Sequence, residues 1–300
     1  MNMRDMTVET LVTHSGTFHA DEVFAHAILA KVYPSATLVR TRDESAIWST
    51  HGIVFDVGQV CDAAVGRFDH HQADGPKRAD NTPYSSVGLI WRAYGTLFLE
   101  KILLDASTED LQDVWQVLDD SLIHPIDLLD NGLGENRTDG IGALIDDFNL
   151  HWDDGGSEDD AFWRASLAAS EILTRRARRA AAAIRARSIV VEAIEGASDP
   201  AIIILPRHVP WEPTVFHASA DILYVIYPRQ DLWYCTAVPS APGSFDKRKS
   251  LPAAWGGLRD EALRAASGIA DAVFCHPALF ICGAASREGA IAMARTSAEA

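Results

Sequence analysis

Val65-Gly66-Arg67-Phe68-Asp69-His70-His71-Gln72 is the stretch on which the reading of this chain turns. A short apolar run delivers an aspartate and two adjacent imidazoles, three metal-binding side chains within one turn of backbone. Three further clusters of the same kind surround it in sequence. His14, His19 and Asp21 lie in Thr13-His-Ser-Gly-Thr-Phe-His-Ala-Asp-Glu22, Asp56 ends Gly52-Ile-Val-Phe-Asp56, and Asp130 lies in Asp127-Leu-Leu-Asp-Asn-Gly132. Each cluster follows a short apolar run and precedes a glycine or polar turn. Loops at the carboxyl ends of strands in an open α/β sheet have this form, and such sheets bind their ligands there. Seven nitrogen and oxygen ligands converging from four loops are enough for two divalent metals.

Taken singly, most of these pieces have an ordinary structural alternative. Asp21 is placed to cap a helix, and Asp56 and Asp130-Asn131-Gly132 are placed to make turns. Asp127 lies one helical turn from Asp130 and competes with it for the ligand role. Asp69-His70-His71 is harder to explain away, because three consecutive ionisable residues after a strand are costly unless solvated or metal-bound. Imidazole and carboxylate ligands without thiolate favour Mn²⁺, with Mg²⁺, Co²⁺ or Zn²⁺ as alternatives, and argue against structural zinc. Two metals about 3.5–4 Å apart clamp a phosphoryl oxygen and acidify a bridging water. Asp69, central in the pattern, is expected to bridge. One of His70 and His71 is expected to ligate less directly and to stabilise charge developing on phosphorus.

The bulk numbers limit the alternatives. The 300 residues are 48% hydrophobic, enough for two domains with separate cores. Met1 to Thr10 carry no apolar leader, and no uncharged apolar run approaches the roughly 20 residues that span a bilayer. A soluble, cytoplasmic protein without membrane partners is therefore expected. Four cysteines (Cys61, Cys235, Cys275, Cys282) form no C-x-x-C pair and read as reduced thiols. A net charge of −16 argues against tight nonspecific binding of long duplexes. It leaves a phosphorylated substrate possible, since two cations dominate the field at their own site. Nothing in the sequence speaks to oligomeric state.

The alternation of patterns predicts an α/β fold with a mostly parallel sheet flanked by helices. Strands are expected at Glu9–Thr13, Ala36–Arg40 and Gly52–Asp56. Helices are expected at Ala20–Val32, Ser86–Leu104 and Glu109–Leu122. This gives a metal-binding catalytic domain over 1–155. An acidic linker around Asp153–Asp160 and a long Ala- and Arg-rich helix over Ala161–Arg187 make up the connection, 156–187. Arg175, Arg176, Arg178 and Arg179 form a basic patch on it, either a solvated face or a nucleic-acid contact. A smaller α+β domain follows over 188–300, with strands at Ser188–Ala193, Ala201–Leu205, Ile222–Tyr227, Leu232–Val238 and Ala272–Cys275. Its helices are expected at Leu258–Ala266 and Ser286–Thr296, and the cleft between the domains is the expected substrate site.

The four clusters resemble the motifs of the DHH phosphoesterase superfamily, which includes RecJ-type exonucleases, nano-RNases and manganese-dependent family II pyrophosphatases. Longer strings are similar to one branch, the MYG exonuclease family (melanocyte proliferating gene one). They are Val39-Arg-Thr-Arg-Asp43, Asp56-Val-Gly58, Phe68-Asp-His-His-Gln72, Ser85-Ser-Val-Gly-Leu-Ile90, Trp255-Gly-Gly-Leu-Arg-Asp-Glu-Ala-Leu263, Ser267-Gly-Ile269 and Arg287-Glu-Gly-Ala290. The resemblance runs from about Leu11 to Thr296. It implies metals on the first domain, held by His14, His19, Asp21, Asp56, Asp69, His70 or His71, and Asp130. It implies a substrate grip on the second domain, and a 3′-5′ exonuclease acting on short RNA or DNA. In one place the chain departs from the pattern. Where the family usually has Gly-Gly-His-Arg, this sequence reads Cys282-Gly283-Ala284-Ala285. Gly283, Arg259, His276 and Arg287 are the remaining candidates for substrate contact. Arg287 has the backbone N–H groups of a helix start beside it, and each of the side chains has a plain structural alternative. Two other functions compete: hydrolysis of pyrophosphate or a small phosphorylated metabolite, and a catalytically silent metal-binding regulator.

Overall fold

The computed structural model describes residues 8–135 and 138–300, so the extreme amino-terminal residues lie outside it. The chain divides into two compact units, the first ending at Ala181 and the second running over Ala182–Ala300.

The first unit is built on β1 (Thr10–Thr13), α1 (Ala20–Val32), β2 (Thr37–Arg40), α2 (Glu44–Ser49), β3 (Ile53–Phe55), β4 (Cys61–Asp62) and β5 (Arg67–Phe68). The strands order as β2-β1-β3-β5-β4. Pairing is parallel from β2 through β5, and only the edge strand β4 runs antiparallel. The centre is apolar throughout: Leu11, Val54 and Phe55 are fully buried, as strands covered on both faces require. From β1 the chain moves to β2 on one side and then to β3 on the other. A crevice opens at such a reversal, above the carboxyl ends of the strands.

Helices α3 (Ser86–Ile102), α4 (Thr108–Leu118), α5 (His124–Asp130) and α6 (Ile141–Asp146) complete this unit. Helix α1 packs on α3, and its residues from Ala20 to Leu29 are all buried. Two glycines in α3 permit close packing. A Cβ on Gly95 would lie 2.7 Å from the Trp115 indole, which stacks on Trp91, and one on Gly88 would lie 2.5 Å from the Asp127 carboxylate. The helix expected over Glu109–Leu122 ends instead at Leu118, and the five residues Asp119–Ile123 make a π turn leading into α5. That turn buries Asp119, which receives two hydrogen bonds from Arg78.

Helix α7 (Glu158–Glu195) is 38 residues long. It corrects the expectation of a strand at Ser188–Ala193. Ile189, Val190 and Val191 suggested β-structure, but no glycine or proline interrupts the helix before Gly196, and Val190 is fully buried within it. Glu158, Asp159 and Asp160, read as linker, form its acidic first turn, where the helix dipole favours them. In the basic patch, Arg175 pairs with Glu171 and Arg176 donates to Ser121 O.

The second unit contains β6 (Ile202–Ile204), α8 (Glu212–Ala218), β7 (Tyr224–Arg229), β8 (Leu232–Ala237), α9 (Asp260–Ser267), β9 (Ala272–Cys275), β10 (Ile281–Ala284) and α10 (Arg287–Glu299). Its sheet orders β6-β7-β8-β10-β9, parallel only between β6 and β7. One face buries Tyr224, Ile226, Cys235 and Cys282 with Met293 of α10. The other buries Ile203, Val225 and Tyr227 with Val190 of α7 and Val215 of α8. The four cysteines are free, three of them buried. Among the described residues, no helix is long and apolar enough to cross a membrane.

His26 ties α1 to α7. Its ring centroid lies 5.4 Å from that of Phe162 and 5.6 Å from that of Trp163, and its Nδ1 is 2.6 Å from Ser166 Oγ. Burial lowers its pKa from 6.5 to about 4. The unfolded chain therefore binds a proton that the folded chain refuses between those two pH values. Stability should fall as pH drops below 6.5, by about 2 kcal/mol at pH 5 from this group alone. Denaturant unfolding across pH 4–7 checks this: His26→Gln should flatten the slope, and an unchanged slope would refute the assignment.

Candidate metal centre

Three loops at the carboxyl ends of the parallel strands, with the end of α5, build the site. His14 directly follows β1, Asp56 follows β3 and Asp69 follows β5, while Asp21 and Glu22 stand in the first turn of α1. Asp56 has a left-handed backbone, φ 57°, a conformation costing a non-glycine residue about 1–2 kcal/mol. Ser86, at the start of α3, secures two of these carboxylates. Its N–H donates to Asp21 Oδ2 (3.2 Å) and its hydroxyl to Asp56 Oδ1 (2.9 Å).

The side chains meet in three groups whose ligand atoms lie within 4.8 Å of one another: His14, Glu22 and Asp56; Asp56, His70 and His71; His19, Asp21 and Asp130. His14 Nε2 is 3.0 Å from Glu22 Oε1 and 3.2 Å from Asp56 Oδ2. His70 Nε2 stands among three carboxylates, 3.2 Å from Asp56, 3.3 Å from Asp130 and 3.8 Å from Asp21. Asp56 alone belongs to two of the groups. A cavity of about 800 Å³ opens over them, and a second of about 570 Å³ shares His19 and Asp130 with it.

Electrostatics mark the cluster as built for cations. Asp21 is buried and its Oδ1 has no hydrogen-bond partner among the described residues. Burial, reinforced by the charges of Asp56 and Asp130, pushes its pKa well above the usual carboxylate range. Burial also works against a charge on His14, yet hydrogen bonds and charge from Asp56 and Glu22 prevail and raise its pKa to about 10. Asp56 is held ionised against its burial by His14 and His70. In effect the imidazoles supply protons where the carboxylates need positive charge. An orphaned buried oxygen, four crowded carboxylates and a thiolate-free donor set fit hard divalent cations.

Glu22 is the residue that sequence reasoning passed over. It is fully buried, and its two oxygens accept from the His19 N–H at 2.9 Å while one lies against His14. A carboxylate closely following a histidine cluster, at a helix start, was the available signal. Asp130 stands with the cluster and Asp127 does not. Asp127 accepts from Ser85 N–H (3.0 Å), Ser85 Oγ (2.7 Å) and Arg78 Nε (2.7 Å). Asp69 lies outside the three groups. Its carboxylate accepts from the backbone of Gln59, His70 and His71, and its Oδ1 lies 2.6 Å from His71 Nδ1. The hydrogen bond to Asp69 leads the effects that raise the His71 pKa, and the His71 side chain remains 56% exposed.

The second-unit candidates are placed differently. A Cβ on Gly283 would lie 2.5 Å from the Phe274 ring, so glycine serves the packing of β10 against β9. The Arg259 guanidinium lies 5.8 Å from the centroid of the same ring. His276 Nδ1 accepts from Ala278 N–H in a turn, and its ring lies 4.5 Å from that of Phe280. Arg287 opens α10, with Glu288 at 3.8 Å. The helix start beside it is partly used, because Asp271 accepts from Ser286 N–H and Oγ and Ser286 Oγ accepts from Gly289 N–H.

An acid whose folded pKa is raised destabilises the fold at pH values above its unfolded pKa. Asp21→Asn should therefore raise the melting temperature of metal-free protein at pH 7.5, by about 2–4 °C per kcal/mol relieved. It should also remove most of the upward shift that Mn²⁺ gives the wild type. Thermal melts with chelator and with Mn²⁺ decide this; a destabilised apo variant or a full Mn²⁺ response would contradict it.

Comparison with known proteins agrees with the sequence motifs. A family model named for MYG1 exonucleases, described as an uncharacterised protein family (UPF0160), matches residues 10–298. The human MYG1 exonuclease is 35% identical over 95% of this chain and 84% of its own length. A MYG1 protein of Caenorhabditis elegans is 32% identical over 96% of this chain and 94% of its own. One of Schizosaccharomyces pombe is 30% identical over 95% and 96%. Among solved structures, RecJ of Thermus thermophilus in complex with Mn²⁺ superposes with a TM-score of 0.27 at 13% identity. That match covers 97% of this chain and 52% of RecJ, so the chain spans about half its length. With a family model covering nearly every residue and relatives matched almost end to end, the chain belongs to the MYG exonuclease family.

Proposed function

We propose that this protein is a metal-dependent phosphoesterase, a 3′-5′ exonuclease that hydrolyses phosphodiester bonds of short RNA or DNA with two divalent cations, Mn²⁺ foremost. The observation that carries the reading is the trio of ligand groups, two of them sharing Asp56, with a buried Asp21 oxygen left unpartnered. The family's exonuclease relatives support the substrate class.

His14, Glu22 and Asp56 are one candidate ligand set, and Asp21, His19 and Asp130 another. His70 joins them through Asp56 and Asp130. Asp56, shared by two of the groups, would be the residue to bridge two cations, the role that the sequence pattern suggested for Asp69. Cations held there would polarise a phosphoryl oxygen and acidify a water at neutral pH. The chain's own residues do the rest. Asp69 fixes the His71 ring through Nδ1, and its charge favours the imidazolium. His71, exposed in the main cavity, is thereby suited to protonate the departing oxygen or to balance charge on phosphorus. The Gly16 loop is held by Arg40, which donates to Gly16 O and pairs with Asp159 at 3.0 Å.

A net charge of −16 favours a second reading with the same chemistry on a small phosphorylated metabolite or pyrophosphate. Purified protein with Mn²⁺, given labelled short RNA, short DNA, dinucleotides and pyrophosphate, separates the two. Mononucleotide release is expected, lowered more than about a hundredfold by Asp56→Asn. His71→Gln should lower kcat by about 10²–10⁴ while Mn²⁺ affinity stays within a few fold. Phosphate release from pyrophosphate alone would favour the metabolite reading, and no turnover of any substrate would leave a metal-binding regulator.

A further inference from the structure

The main cavity is rimmed by one arginine, Arg42, that pairs with no carboxylate among the described residues. Arg42 lies just beyond β2. The parallel ladder continues past that strand, as Thr41 N–H donates to Thr13 O at 2.8 Å, and this sets Arg42 beside His14 and Ser15. The next residue is fixed as well: Asp43 caps α2 by accepting from Ser45 and Ala46 N–H, and its own N–H donates to Thr41 Oγ1. Arg42 is thus carried on a short turn pinned at both sides.

Its guanidinium rests on the cavity edge. Nε donates to Ser15 O at 3.1 Å, and Nη2 lies 3.1 Å from His14 Nδ1. Among the described residues no carboxylate lies within ion-pair distance of it, although two, Asp56 and Asp130, line the same cavity. Arg40, two residues earlier, is the instructive contrast. Its side chain is 1% exposed, pairs with Asp159, donates to Gly16 O and lies over the rings of Phe162 and Phe18. That arginine is spent on structure. Arg42 is exposed and is the only lysine or arginine lining the cavity among the described residues.

We infer that Arg42 is a phosphate-binding residue of this site, taking the non-bridging oxygens of a nucleotide phosphate at the cavity rim. A guanidinium presents several N–H donors in a planar fork that matches a phosphate, and Ser15 O occupies only one of them. Backbone and imidazole contacts orient the group without neutralising it, so its charge is kept for an anion. A fixed positive charge at the rim draws an anion towards the cavity. The inference rests on the proposed phosphoesterase reading for the identity of the anion.

Calorimetry on Mn²⁺-loaded full-length protein tests it, with AMP, adenosine and inorganic phosphate as probes. Wild type should bind AMP more tightly than adenosine, and inorganic phosphate should compete with AMP. Arg42→Gln should weaken AMP at least tenfold and leave adenosine unchanged, and Arg42→Lys should recover part of the loss. The Mn²⁺-induced rise in melting temperature should survive in both variants, which separates lost phosphate binding from a damaged metal site. AMP bound within twofold of wild type by Arg42→Gln would overturn the inference, as would wild type that prefers adenosine or does not distinguish the two. If AMP binding depends on Arg42 while no oligonucleotide is hydrolysed, the exonuclease reading fails and the phosphate site stands.

Discussion

Mutual repulsion among buried carboxylates is the constraint around which the first unit is organised. Asp21, Glu22, Asp56 and Asp130 are drawn from a helix start, a strand end and a helix end into one small volume. Buried carboxylates that no cation answers are strongly destabilising. In this protein two histidines, His14 and His70, stand between them with Nε2 3.0–3.8 Å from carboxylate oxygens. Protonated imidazole and divalent cation are alternative answers to the same charge problem. The second suits catalysis because it leaves a Lewis acid where a phosphate can reach it.

Much of the surrounding structure serves to hold that arrangement still. Ser86 satisfies one oxygen on each of Asp21 and Asp56, and Asn149 bonds both the N–H and the C=O of Phe18, fixing the loop before His19. Further out, Arg78 grips Asp119 and Asp127 together, with Tyr84 4.7 Å from its guanidinium. That buried ion triad fastens α5 to the π turn before it and so fixes where Asp130 emerges. Asp127 and Asp130 share one helix but divide the labour, one binding the scaffold and the other facing the cavity.

This division marks the boundary of what the sequence could tell. Helix α1 was legible to the residue because its apolar run is long and its first turn acidic. The strands β1 to β3 were legible because they are short apolar runs ended by polar loops. Strands β4 and β5 are two residues each and leave no periodic signature. Ile189-Val190-Val191 misled because a β-branched run is compatible with a helix once its face is buried. Asp127 and Asp130 are three apart on one helix, so spacing gives both a similar direction; the positions of Ser85 and Arg78, both distant from Asp127 in sequence, separate them. Glu22 was hidden for a related reason, since an acid in a first turn is expected on dipole grounds alone. Asp69 was chosen for the bridge by its central place in the motif. Its hydrogen bonds to the backbone of Gln59, His70 and His71, which no spacing rule announces, also shape the turn that presents both histidines.

Anomalous diffraction from crystals of the Mn²⁺-loaded protein, recorded at the manganese absorption edge, bears most directly on the carboxylate cage. Two peaks about 3.5–4 Å apart are expected with Asp56 between them, one beside His14 and Glu22 and the other beside Asp21 and Asp130. A cage without manganese, its carboxylates still paired only to protonated histidines, would contradict that expectation.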